Sequence, residues 1–95
     1  MLFAVIAIDK KDGAKLRTAK VTQHLEYLRS VGKVKLAGPF LNERGDMTGS
    51  LIVLEAASKA EAEAWVHEEP FNKAGLFEKA DIYPWFSIMN SLERA

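Results

Sequence analysis

Leu2-Phe3-Ala4-Val5-Ile6-Ala7-Ile8 is an unbroken apolar run that ends at Asp9. Successive strand residues point to opposite faces, so a strand with one wet face alternates apolar with polar. Here both parities are apolar, which predicts a strand over 1–8 that is covered on both sides. Any fold for this chain must supply two covers for its first strand.

The rest of the chain supplies one of them. Asp9-Lys10-Lys11-Asp12-Gly13 reads as a polar turn, with Asp12 placed to cap a helix over 14–31 that Gly32 stops in the left-handed conformation. A second strand is expected over 33–40, a hairpin loop over 42–46 and a third strand over 48–55. Ser58-Lys59-Ala60-Glu61 is a capping box that starts a second helix, and Glu68-Glu69-Pro70 ends it. A short helical turn over 71–75, a fourth strand over 76–85 and a short helix in the tail, 87–95, complete the order βαββαβ.

Proline donates nothing to a strand ladder and is confined to sheet edges. Pro39 falls in the second strand and Pro84 in the fourth, which leaves the first and third strands for the centre. The order and the prolines together predict an α+β, ferredoxin-like sandwich: a four-stranded antiparallel sheet with two helices on one face. The sheet's other face is then apolar and uncovered, which predicts a homodimer formed face to face through it.

Composition narrows the function classes. The 95 residues suit one domain over 1–95, with 48% hydrophobic and 27% charged residues. Thirteen basic residues balance thirteen acidic ones, so nothing draws the chain to nucleic acid or to anionic lipid. The apolar start is far short of the roughly 20 residues of a membrane span and lacks the flanks of a secretory signal. Cysteine is absent, which makes a cytoplasmic location the expectation.

The first helix carries the most informative residue. Arg17, Val21, His24, Leu25, Leu28 and Val31 recur at helical spacing along one apolar stripe. A titratable ring in that stripe is either an accommodated core histidine or a general acid–base held beside a carboxylate. Asp9 is within geometric reach, because the helix returns over the strand that Asp9 ends. Glu68 and Glu69 stand at a helix C-terminus, where the dipole disfavours acids, so Glu69 is the other candidate carboxylate. Arg17 lies two turns before His24 and must either snorkel to solvent or meet an anion. Trp65, Phe71, Tyr83, Trp85 and Phe86 suit a core, a dimer face or a pocket wall. His24 and His67 sit on separate elements without ligand spacing, so no metal is expected, and no phosphate loop or dinucleotide fingerprint calls for a cofactor.

The segments Arg17 with His24-Leu25, Leu36-Ala37-Gly38-Pro39, Met47-Thr48-Gly49-Ser50, Glu69-Pro70-Phe71, Ala74-Gly75-Leu76-Phe77 and Ile82-Tyr83-Pro84-Trp85 together resemble the YCII-related (YciI-like) family over nearly the whole chain. The resemblance implies a dimeric α+β barrel, related in shape to muconolactone isomerases and antibiotic-biosynthesis monooxygenases. It also implies a site of enzymatic type, with the family's histidine at His24, its strand-end aspartate at Asp9 and its arginine at Arg17. Gly38, Pro39, Ser50 and Phe71 join Arg17 as ligand-binding candidates on the matching motifs. Glu69 stands where many members carry aspartate, and Val21 where many carry a second arginine. The expected activity is cofactor-free proton transfer on a small organic, possibly anionic, molecule, of lyase, isomerase or dehalogenase type. The alternative is a non-catalytic ligand-binding or accessory dimerisation module.

Overall fold

The computed structural model describes residues 1–30 and 32–92. Its elements are β1 (Leu2–Asp9), α1 (Ala14–Arg29), β2 (Val34–Leu41), β3 (Met47–Glu55), α2 (Lys59–His67), α3 (Pro70–Lys73) and β4 (Phe77–Trp85). The antiparallel sheet has the order β2-β3-β1-β4, so the two proline-bearing strands are its edges. This is the ferredoxin-like α+β fold that the sequence order predicts.

Register explains how one apolar strand serves two faces. Phe3 and Val5 of β1, with Ile52 and Leu54 of β3, turn toward the helices and pack on Ala62, Trp65 and Val66 of α2. Tyr27 and Leu28 bring α1 onto the same cluster. Further along β1, Ala7 joins Phe71, Leu76 and Phe77 in a second buried cluster. The residues of opposite parity, Leu2, Ala4, Ile6 and Ile8, pair across the sheet with Glu55, Val53, Leu51 and Gly49 of β3 and with Trp85, Tyr83, Asp81 and Lys79 of β4. On β2, Leu36 pairs with Val53. Among the described residues no helix covers this second face, and Leu36, Tyr83 and Trp85 on it are exposed.

Three local expectations are corrected. Asp12 does not cap α1: the N-cap is Gly13, with no side-chain bond, and the helix ends at Arg29, with Val31 outside the described residues. Gly32 does take a left-handed φ of 66° beyond it. In the capping box, the Ser58 side chain accepts from Glu61 N–H as expected, but Glu61 reaches back to Ala57 N–H rather than to Ser58. The tail forms no α-helix through 92, and residues 93–95 lie outside the described part. Short helices need a packing surface, and Phe86, Ile88, Met89 and Leu92 have none to lie against. Among the described residues, no helix is long and apolar enough to cross a membrane.

Candidate active site

The stripe of α1 is turned from its expected line. Arg17 and His24 are its buried residues, and Lys20, Tyr27 and Leu28 are half-buried along the same inward line. Val21 and Leu25, expected inward, are 37% and 38% exposed. The helix therefore presses two basic side chains inward, alongside Leu16, Tyr27 and Leu28 on the core clusters. Each buried ion costs several kcal/mol in desolvation unless it is well paired, so the partners of these two residues define the site.

Arg17 is paired by the end of the sheet. Asp9 follows Ala7 on the helix-facing parity of β1, beside a register shift at Ile8/Asp9 on the β4 side. Arg17 Nε donates to Asp9 Oδ2 at 2.8 Å and Nη2 to Oδ1 at 3.1 Å. Nη2 also donates to Gly49 O at 2.9 Å and to Ser50 Oγ at 3.0 Å. Close approach at Gly49 is possible because it has no side chain: a Cβ there would sit 2.3 Å from Ala7 O. Nη1 has no partner among the described residues.

His24 is paired by the α2–α3 corner. Glu69, the N-cap residue of α3 in extended conformation, is fully buried. His24 Nδ1 and Glu69 Oε1 lie 2.5 Å apart. Glu69 is thus the carboxylate that pairs with the imidazole, and Asp9, the other candidate, is taken up by Arg17. The physical reason is reach: the extended backbone before Pro70 turns Glu69 beneath α1, whereas Asp9 meets the helix two turns earlier, at Arg17. Glu69 Oε2 and Trp65 Nε1 are the fully enclosed side-chain polar atoms without a partner among the described residues. His24 Nε2 makes no hydrogen bond there and is not so enclosed, so it is the uncommitted ring nitrogen; the residue itself is buried and is not among those lining the cleft beside Arg17.

One ring joins the two pairs. Phe71 is stacked on the imidazole, centroid to centroid 4.0 Å at 14°, and the Arg17 guanidinium carbon lies 4.7 Å from the centre of the same ring. Phe77 meets Phe71 edge-on at 6.1 Å. Tyr27 donates to Trp65 O at 2.6 Å; its burial, then the charges of Glu68 and Glu69, hold its hydroxyl above the usual tyrosine pKa.

A cleft of about 900 Å³ opens beside Arg17, between the β1–α1 turn and the β2–β3 hairpin. Asp9, Arg17, Thr18 and Val21 line it on one side, and Asn42, Arg44, Asp46, Met47 and Thr48 on the other. The hairpin loop is bonded to itself: Asn42 Oδ1 accepts from Arg44 N–H and Asp46 N–H, and Arg44 Nε donates to Asp46 Oδ2. Of the other ligand-binding candidates, Ser50 is committed to Arg17 and Phe71 is fully enclosed, so both stand behind the site. Gly38 and Pro39 lie exposed on edge strand β2, outside the cleft lining. The hairpin wall was missed from sequence, although its reach toward the end of β1 follows from the strand order. Among the described residues, no three metal-ligating side chains converge.

A ferredoxin-like sandwich whose long helix buries a histidine–carboxylate pair and an arginine–carboxylate pair is a small α+β protein with its buried polar groups between helix and sheet. The model of the YCII-related domain matches residues 1–86, and the chain belongs to that family. Protein YciI of Escherichia coli O6:H1 is 31% identical over 97 aligned residues, covering 93% of this chain and 99% of that one. The chain is also similar to the 5-chloro-2-hydroxyhydroquinone dehydrochlorinase TftG of Burkholderia phenoliruptrix AC1100, solved in complex with 2,5-dihydroxybenzoquinone. That match has 34% identity and a TM-score of 0.83, over 90% of this chain and 94% of that one. An antibiotic biosynthesis monooxygenase matches in fold alone, at 10% identity and a TM-score of 0.57, over 94% of this chain and 100% of its own.

Proposed function

We propose that this protein is a small enzyme of the lyase, isomerase or dehalogenase type that moves a proton on a small organic substrate with the His24–Glu69 pair. The observation that carries the reading is the division of the imidazole: Nδ1 lies 2.5 Å from a buried carboxylate while Nε2 is left without a hydrogen bond and not fully enclosed. Glu69 accepts from Nδ1–H, which orients the ring and leaves the Nε2 lone pair to take a proton from the substrate. The carboxylate then stabilises the imidazolium until the proton is returned, to the substrate for an isomerisation or to solvent when a leaving group departs. Arg17, held by Asp9, Gly49 and Ser50, offers Nη1 to an anionic oxygen of the substrate. The likeness to a dehydrochlorinase supports an elimination from the keto tautomer, in which chlorine sits on a saturated CHCl carbon: a ring hydroxyl proton goes to Nε2, the O–H electrons form the quinone C=O, and chloride leaves.

The test is chloride release from 5-chloro-2-hydroxyhydroquinone by the wild-type protein, His24→Gln and Glu69→Gln. Release by the wild type that falls at least about a hundredfold in both variants supports the dyad. Unchanged release in His24→Gln would overturn it. Ligand binding without turnover of any substrate would leave the accessory-module reading.

We further infer that two copies pair through the uncovered sheet face and that the protein works in the cytoplasm. Support for the pairing is the apolar character of Leu2, Ile6, Leu36, Leu51, Tyr83 and Trp85 on one surface. Support for the compartment is a sequence without cysteine.

A further inference from the structure

The charges lining the cleft do not balance, although those of the chain do. Its cations are Lys10, Lys11, Arg17 and Arg44, and its anions are Asp9 and Asp46. Both anions are committed to arginines within the same wall, Asp9 to Arg17 and Asp46 to Arg44. The two lysines are left over. Arg17 is buried with Nη1 unspent, so one positive pole lies deep in the cleft. Lys10 and Lys11 belong to the same lining, on a turn fixed by Lys10 N–H to Leu76 O at 2.9 Å and Gly13 N–H to Lys10 O at 3.0 Å. The first turn of α1 carries no acidic residue, and the one acid between β1 and that helix, Asp12 next to the N-cap Gly13, leaves the turn with Lys10 and Lys11 a net positive charge.

We infer that the cleft prefers small molecules with two anionic groups over those with one, the first group bound at Arg17 Nη1 and the second met by Lys10 and Lys11. The inference rests on the proposed function for the identity of the site, and it adds what the site prefers to hold.

Calorimetric titration with benzoate and terephthalate, the mono- and dianion of one ring, tests it without any turnover. The expected result is terephthalate binding about tenfold tighter than benzoate at low salt, with the difference shrinking as salt is raised. The Lys10→Gln/Lys11→Gln double variant should lose that preference and keep its benzoate affinity, because both lysines are exposed and Arg17 is untouched. Equal affinities in the wild type, a preference that survives in the double variant, or no binding of either acid would each overturn the inference. Those results leave the dyad standing, since His24→Gln and chloride release decide it separately. Loss of the dyad reading, in turn, does not move a binding preference set by the lysines.

Discussion

Asp9 grips Arg17 through two hydrogen bonds, Nε to Oδ2 at 2.8 Å and Nη2 to Oδ1 at 3.1 Å, with both side chains almost wholly out of water. Removing one member of such a pair leaves a bare charge in a poorly solvated place. Asp9→Ala is therefore expected to cost roughly 3–5 kcal/mol of folding free energy. Urea denaturation measures it; a loss below about 1 kcal/mol, as for an exposed pair, would show that the fork carries little.

Glu69→Gln keeps the shape of the buried side chain and removes its charge. A substrate turned over by the wild type should lose roughly 10²–10⁴-fold in kcat, with the circular dichroism spectrum unchanged. Nitrogen-15 spectra of the neutral imidazole should show the proton on Nδ1 in the wild type, with that preference weakened in the variant. A wild-type ring protonated on Nε2 would sink the assigned geometry.

Tyr27 gives the protein an alkaline limit. Its folded pKa is raised above 10.0, by burial first and then by Glu68 and Glu69. The folded state holds the proton more tightly than the unfolded chain, so this contribution is complete below pH 10.0 and is lost as pH rises through the folded value. Denaturation midpoints taken from pH 9 to 11 should fall across that window. Tyr27→Phe should flatten the fall; an equal slope in the variant would assign it to other groups.

Gly49 sits where two strands approach closely. A methyl group there would meet Ala7 O at 2.3 Å and Phe40 Cδ2 at 3.1 Å. Gly49→Ala should destabilise by about 1–3 kcal/mol and also disturb the carbonyl that holds Arg17. Thermal melting is the readout, and an unchanged midpoint contradicts the close approach.

Pairing through the open face predicts that Leu36→Lys combined with Tyr83→Lys yields a monomer where the wild type sediments as a dimer. Both residues are more than 40% exposed in the single chain, so the substitutions leave its own core intact. A wild type that sediments as a monomer rules out the pairing.

Much of the architecture was legible because it is written in local patterns. Pro39 and Pro84 named the edges, and the double-sided apolarity of residues 2–8 placed β1 inside. The importance of Arg17 and His24 was legible too, since both interrupt an apolar stripe at helical spacing. Which acid each would meet was not, because that depends on packing at a distance: Glu69 lies 45 positions from His24 and arrives only through the turn at Pro70. The inward line of α1 was misjudged at Val21 and Leu25 for a related reason. Apolar spacing favoured those residues, while the pairing of Arg17 and His24 with acids below set the rotation of the helix. The hairpin wall of the cleft left no mark in the pattern, since loop residues such as Arg44 and Asp46 are polar whether or not they border a site.

The self-bonded hairpin loop has a kinetic corollary. Asn42, Arg44 and Asp46 satisfy one another before anything arrives, so the far bank of the crevice stands ready-made. A visiting molecule need not wait for a flap to shut, and encounter rather than rearrangement should govern how fast it settles.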